Sequence, residues 1–323
     1  MMCTAVSFAS QNANRRFFYF ARTLDNDRSY GEETVTVPRN FPLALRYRKN
    51  LDTHAAFIGT AMVIDGVPLF YDAASEHGLA IAALNFPKNA YYAPYEAHME
   101  DHALCVFEVI PYLLAACETV ADVRVALADL HIVDTPFSKE LPNTPLHFLI
   151  ADRTETLVLE PTKNGLSLYS DLLGVLTNNP PFPMQMTAMQ KYRNLCADVP
   201  PSFLDGLLPS PDGFGFGAVG LPGDFSSPSR FARAAFVRHH MLSYLSMHAE
   251  KDSCAREVFH LLHTVSVPRG VCMREDGAYQ HTVYTAVMDA LHGIYYKTTY
   301  ESGVIQETDL WSADLEGREL KRR

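Results

Sequence analysis

The chain has 323 residues, 48% of them hydrophobic and 20% charged, and a net charge of −10. This is the composition of a globular chain with a substantial core, and its acidity argues against a nucleic-acid partner or an anionic membrane surface. No apolar run approaches the roughly 20 residues needed to cross a bilayer, and no basic segment followed by an apolar stretch marks a signal peptide.

The first element is a strand over 3–10. Asn12-Ala13-Asn14 is turn chemistry, and 16–21 reads as the returning strand. Such a hairpin brings Arg22 and Asp25 back beside the N-terminus. Short strands follow over 33–38, 56–64 and 79–84, with turn signals at Asp65-Gly66 and Glu76-His77-Gly78. Helical spacing of Ala103, Val106, Ile110, Leu113 and Leu114 predicts a helix starting near Asp101. Thr119-Val120-Ala121-Asp122 resembles a capping box and opens a second helix, which Asp134-Thr135-Pro136 ends. Strands resume over 146–151, 156–161, 165–170 and 174–177. Residues 180–222 are rich in proline and glycine and read as a long structured excursion. Helices are expected over 229–247 and 252–265, and strands over 282–288, 293–300 and 303–308.

Strands and helices therefore come in blocks. That order does not suit a doubly wound parallel sheet, which alternates element by element. It suits an α+β architecture of two antiparallel sheets stacked face to face with helices outside, in a single domain over 1–323.

The six cysteines (Cys3, Cys105, Cys117, Cys196, Cys254 and Cys272) are scattered, with no C-x-x-C pair. That pattern argues against a disulfide framework or a zinc site and points to a reducing cytoplasm. His98 and His102, and His260 and His263, are close in sequence but lack a third ligand, so no metal is expected. Gly215-Phe216-Gly217-Ala218-Val219-Gly220 matches a dinucleotide-binding pattern. Prolines precede it where a strand should stand and Leu221-Pro222-Gly223 follows where a helix should start, so a loop is expected.

Cys3 is different. Once Met1 and Met2 are removed, it carries a thiol and a free α-amine, a nucleophile and its base in one residue. An α-amine with a pKa of roughly 7.7–8.0 is partly neutral at working pH and can accept the thiol proton. Asn85 and Asn178 stand at predicted strand ends, where side-chain amides can serve an oxyanion. Arg230, at a helix start, is either a surface charge or a partner for a thiolate.

Taken together, these stretches resemble the choloylglycine hydrolase family of N-terminal-nucleophile (Ntn) amidases, which contains bile salt hydrolases and penicillin V acylases. The resemblance is carried by Met2-Cys3-Thr4-Ala5, Ala21-Arg22-Thr23-Leu24-Asp25, Pro38-Arg39-Asn40-Phe41 and the run from Gly78 to Pro87. It continues in Gly174 to Pro180, Gly220 to Phe231 and Gly293-Ile294-Tyr295-Tyr296. It implies a four-layer αββα sandwich, no cofactor, and a homotetramer assembled through 180–222. It implies Cys3 as nucleophile, Arg22 as the charge that settles its thiolate, and Asp25 as the carboxylate that orients the α-amine. Asn178 and Asn85 then hold the oxyanion, Arg230 is the second arginine, and Leu24, Ile64, Phe137 and Leu141 line the sterol cleft. Asn at position 85 resembles bile salt hydrolases, whereas penicillin V acylases typically carry Tyr there. The implied substrates are glycine- or taurine-conjugated bile acids, with a lean toward glycine because the loop 212–217 has no arginine. The rival readings are a penicillin V or acyl-homoserine-lactone acylase, and an unprocessed, non-catalytic bile-acid-binding protein.

Overall fold

The computed structural model describes residues 2–10, 16–204, 206–207, 209, 213–248 and 254–323. The expected turn at Asn12-Ala13-Asn14, Asp212 of the glycine-rich loop and the expected helix start at 252 lie outside the described residues.

In chain order the first strands are β1 (Met2–Ala9), β2 (Phe18–Asn26), β3 (Glu33–Val37), β4 (Phe57–Ile64), β5 (Val67–Ser75) and β6 (Ala80–Asn85). β7 (Ala103–Cys105), helices α1 (Val109–Ala116) and α2 (Val120–Leu127), and β8 (His131–Val133) follow. Then come β9 (Leu146–Ala151), β10 (Thr156–Thr162), β11 (Gly165–Ser170), β12 (Val175–Leu176) and the short helix α3 (Phe182–Ala188). The chain closes with α4 (Ser227–His248), α5 (Cys254–His263), β13 (Cys272–Met273), β14 (Tyr279–Asp289), β15 (Ile294–Thr299), β16 (Gln306–Asp309) and β17 (Lys321–Arg322).

Among the described residues, two large antiparallel sheets result, beside the small parallel pair β7–β8. One runs β12-β1-β2-β14-β15-β16, with β13 attached to β14; the other runs β11-β10-β9-β6-β5-β4-β3-β17. β1 of the first sheet contacts β6 and β9 of the second. Helix α1 covers β5 and β6 from outside, while α4 and α5 cover β1, β2 and β14. The αββα layering inferred from the sequence is what the chain adopts. Among the described residues, two large apolar cores follow from it. The larger lies around the first sheet and includes Cys3, Phe20, Leu24, Phe231 and Leu262. The other lies between the second sheet and α1–α2 and includes Phe57, Ile81, Leu113 and Phe148. Strands buried on both faces read as near-continuous apolar runs: every residue of β2 is buried, Arg22, Thr23 and Asp25 included.

Differences from the sequence expectations have local causes. The strand β5 was not expected. Its Pro68 and alanines weaken β-propensity, yet it pairs with both β4 and β6. The helix expected from Asp101 begins at Val109, because Ala103–Cys105 pairs in parallel with β8. The box at Thr119 is present: Thr119 Oγ1 accepts from the Asp122 N–H at 3.2 Å, and the Asp122 carboxylate accepts from the Thr119 N–H at 2.9 Å. The Gly215–Gly220 stretch is a loop with one 3-10 turn, and Gly215 sits at φ 83°. The 180–222 excursion carries α3 and a series of turns, and leaves Phe203, Leu207, Phe214 and Val219 exposed.

Candidate active site

Register builds the site. Cys3 pairs with Leu24, and Ala5 with Arg22. Side chains two apart on a strand share a face, so Cys3 and Arg22 are diagonal neighbours on one face of adjacent strands. Arg22 Nη2 accordingly donates to Cys3 Sγ at 2.9 Å, with both residues fully buried.

A buried guanidinium needs its donors occupied. Nη1 of Arg22 donates to the Tyr71 carbonyl at 2.9 Å and the Ala83 carbonyl at 3.0 Å, and Nε to the Thr23 carbonyl at 3.3 Å. Asp72 Oδ2 lies 3.8 Å from Nη1. The Asp72 carboxyl in turn accepts from the hydroxyls of Tyr284 at 2.5 Å and Tyr295 at 2.6 Å. Burial pulls the Arg22 guanidinium down, but Tyr284, Cys3 and Asp72 outweigh that and hold it above its ordinary range. Burial pushes the Asp72 carboxyl up, against Arg22 and the two tyrosines.

Asp25 faces Met2 across the hairpin and Thr282 on the other side. Its Oδ1 accepts from Thr282 Oγ1 at 2.7 Å, and its Oδ2 is buried without a partner among the described residues. Burial raises the Asp25 carboxyl, and Arg230 opposes it most. The backbone N–H of Cys3 donates to Asn178 Oδ1 at 3.0 Å rather than to Asp25.

Asn178 follows β12 and closes the site from the other end of the chain. Its Oδ1 accepts a second bond from Arg230 Nη2 at 2.7 Å, and its Nδ2 donates to the Asn85 carbonyl at 2.7 Å. Two donors on the oxygen fix which way the amide points. One N–H is used on Asn85, and the amide carries one more. Arg230 stands in the first turn of α4, fully buried, and its Nη1 donates to the Cys3 carbonyl and to Thr4 Oγ1. Burial holds this guanidinium below its ordinary range, against the pull of Asp25 and Cys3. Asp224 fastens the approach to α4 by accepting from the Ser226 N–H at 2.9 Å and Ser229 Oγ at 2.6 Å.

An apolar cavity lies beside this cluster. Tyr71, Ala83, Phe137, Leu141 and Phe148 are among its walls. Because the carbonyls of Tyr71 and Ala83 anchor Arg22, the cavity and the Cys3 cluster share a wall. Phe137 and Leu141, expected to line a sterol cleft, lie on this cavity. Leu24 and Ile64 do not line the cavity: Leu24 is packed in the core beside Cys3, and Ile64 is half-buried at the end of β4. Arg46 holds the Phe137 edge by donating to the carbonyls of Pro136 at 2.6 Å and Phe137 at 3.0 Å.

The structure thus gathers Cys3, Arg22, Asn178 and Arg230 into one bonded cluster, with Asn85 joined through its carbonyl and Asp25 adjoining through the hairpin. The sequence reading missed Asp72, Tyr284, Tyr295 and Thr282. For Tyr284, Tyr295 and Thr282, polar residues in predicted strands were the available signal, since a buried polar group requires a partner; Asp72 lies in β5, a stretch not read as a strand, and carried no such signal.

A family model described as linear amide C–N hydrolases, choloylglycine hydrolase family, matches residues 3–322. A bile salt hydrolase/transferase of Lactiplantibacillus plantarum is 40% identical over 320 residues, covering 99% of this chain and 95% of that protein. The bile salt hydrolase/transferase of Clostridium perfringens is 34% identical, covering 99% of this chain and 96% of that protein. Among solved structures, a mutant conjugated bile acid hydrolase from Clostridium perfringens superposes with a TM-score of 0.91 at 33% identity, over 100% of this chain and 96% of the other. Penicillin V acylase from Agrobacterium tumefaciens, at 19% identity and a TM-score of 0.75 over 99% of this chain and 90% of that one, shares the fold.

Proposed function

The chain belongs to the choloylglycine hydrolase family of linear amide C–N hydrolases, and from that premise we propose that it hydrolyses the amide joining a bile acid to glycine or taurine. The observation that carries this reading is the Cys3 cluster: a buried thiol held by Arg22 at 2.9 Å, beside an apolar cavity that shares Arg22's anchoring wall. A sterol body needs an apolar cleft with few polar groups, and the cavity has that character.

The reaction runs through Cys3 after removal of Met1 and Met2. The α-amine takes the thiol proton and Sγ attacks the amide carbon. Arg22 holds the thiolate. The free Nδ2–H of Asn178, with the Asn85 side chain, stabilises the tetrahedral oxyanion. The α-ammonium then gives its proton to the departing nitrogen, and the C–N bond breaks to leave a thioester. Water, deprotonated by the amine, cleaves the thioester and restores the thiol. The unpartnered Oδ2 of Asp25 is the acceptor that an α-ammonium at Cys3 would use, and a charged donor there relieves the cost of an orphaned buried oxygen. Arg230 orients the Asn178 amide and ties the Cys3 carbonyl.

The exposed apolar side chains of the 180–222 excursion support assembly of a homotetramer through that segment. Free thiols at Cys3, Cys105, Cys117, Cys196 and Cys272 are compatible with a reducing cytoplasm, and among the described residues no helix is long and apolar enough to cross a membrane.

One preparation tests the reading by denatured mass, native mass and turnover. The expected result is a chain lacking both methionines, four chains per particle, rapid alkylation mapped to Cys3, and release of glycine or taurine faster than hydrolysis of phenoxyacetyl or acyl-lactone amides. A chain that retains Met2 yet cleaves conjugated bile salts would refute the amine mechanism. A processed chain that leaves them intact would refute the substrate assignment.

A further inference from the structure

His147 is fully buried and lies outside the Cys3 cluster. It opens β9 one residue inside the strand, paired with Leu84 of β6, next to the pair Leu146–Asn85. Its ring stacks on Phe86, the residue after Asn85, with centroids 4.2 Å apart and planes 6° from parallel. Its Nε2 stands 2.9 Å from the carbonyl of Thr177, the residue before Asn178. Its Nδ1 stands 3.3 Å from Glu160 Oε1, which also accepts the Phe182 N–H at 2.9 Å. A carbonyl oxygen only accepts, so Nε2 carries a proton. One imidazole therefore touches the chain immediately beside both amides assigned to the oxyanion.

The rest of the frame converges on the same peptide. Gln185 Nε2 donates to the Asn178 carbonyl at 2.7 Å and to that of Pro180 at 2.9 Å, and its Oε1 accepts from Thr177 Oγ1 at 2.9 Å. Ser227 Oγ accepts the Asn178 N–H at 2.8 Å. Within this frame His147 is the member that also reaches the Asn85 side, through Phe86. Glu160 Oε2 is buried without a partner among the described residues, but the other bonds of this frame are paired, and such groups fix geometry because each alternative leaves a donor or acceptor orphaned.

We propose that His147, seated on Glu160, is a positioning residue that sets the spacing of Asn85 and Asn178 for the oxyanion of acyl transfer. This rests on the hydrolase reading above. The chemistry of that reading also supplies a test. Alkylation of Cys3 by iodoacetamide displaces iodide at a tetrahedral carbon and forms no oxyanion, whereas amide hydrolysis forms one. A fault in spacing the two amides slows hydrolysis and spares alkylation; a fault in the nucleophile slows both.

His147→Leu removes the donor to Thr177, whereas His147→Gln returns an N–H at the Nε2 position. Both are compared with wild type for kcat and KM on a glycine-conjugated bile salt and for the rate of Cys3 alkylation. The expected result for His147→Leu is a fall in kcat of about 10- to 100-fold, the range that a misplaced catalytic geometry produces, with KM and alkylation within about 3-fold of wild type. His147→Gln is expected to recover at least about a third of the wild-type kcat. Unchanged kcat in His147→Leu overturns the proposal, as does a parallel fall in kcat and alkylation, or a Gln variant no better than Leu. If His147→Leu does not accumulate as folded protein, Glu160→Gln takes its place; a kcat loss of about 3-fold or more with alkylation spared supports the proposal, and an unchanged kcat overturns it. Wild-type turnover of the bile salt is the control: its absence refutes the substrate assignment, and the comparison is then made on a phenoxyacetyl amide.

Discussion

Replacing Arg22 by Gln removes the positive charge from the floor of the site while keeping a side chain that can still donate to the Tyr71 or Ala83 carbonyl. At an effective dielectric of about 20, a unit charge 2.9 Å from a thiolate is worth ~6 kcal/mol, and one 3.8 Å from the Asp72 carboxylate ~4 kcal/mol. Both anions therefore share this guanidinium. Its loss has different consequences for the two. Asp72 already has its carboxyl pushed up by burial, so it takes a proton and becomes neutral. The thiolate is protonated as well, and the neutral thiol is a poor nucleophile, so the loss of rate falls on Cys3. Discounted by about half for desolvation already suffered by the pair, the expected penalty is about 3 kcal/mol, or about 100-fold in thiolate-dependent rate. The assay is the second-order rate of Cys3 alkylation at pH 6 and 7, with kcat on a bile salt alongside and the thermal midpoint as a check on folding. A folded Arg22→Gln protein that alkylates within about 3-fold of wild type at both pH values would refute the argument that Arg22 holds the thiolate.

Two further predictions follow from burial and cavity shape. Leu141→Trp narrows the apolar cavity and is expected to raise KM for bile salts at least about 10-fold while leaving Cys3 alkylation unchanged; Ile64→Trp, outside the cavity, is expected to leave KM alone, and equal effects at the two sites would refute the cavity assignment. Asp171 accepts the N–H groups of Leu173, Gly174 and Val175, but burial outweighs them and pushes its carboxyl from 3.8 up to about 6. The native state then keeps a proton that the unfolded chain has released between about pH 4 and 6, so this residue's contribution to stability falls as pH rises through that window, by up to about 3 kcal/mol, and is flat above it. Urea midpoints of wild type and Asp171→Asn at pH 4, 5, 6 and 7 check this: the stability difference should shift against wild type up to pH 6 and then level, and a constant difference would refute it.

The sequence by itself determined what periodicity and short-range chemistry can carry. Strands such as 146–151 and 165–170, the Thr119 capping box, and the block order of strands and helices follow from spacings of a few residues, and they suit two stacked antiparallel sheets with helices outside, the layering that the family resemblance implied as αββα. The identity of Cys3 as a candidate nucleophile is also local, since one residue holds both thiol and latent amine. Even the hairpin neighbours Arg22 and Asp25 are within reach of a reading that follows the chain. Tertiary structure decided the rest, because pairing register and sheet stacking are set by contacts between distant segments. Only the stacked sheets carry the Asn178 amide to the Cys3 N–H across 175 residues, and Arg230 to the Cys3 carbonyl across 227. Tyr284 and Tyr295 were legible only as polar residues in predicted strands, and Asp72, in the unexpected β5, not at all; that Asp72, held by the two tyrosine hydroxyls, is the counter-charge beneath Arg22 depends on β2, β5, β14 and β15 meeting between the layers. Leu24 and Ile64 show the same limit from the other side. A strand position fixes the alternation of faces, but which face meets a cavity and which meets packed core is decided by what the opposite sheet places there.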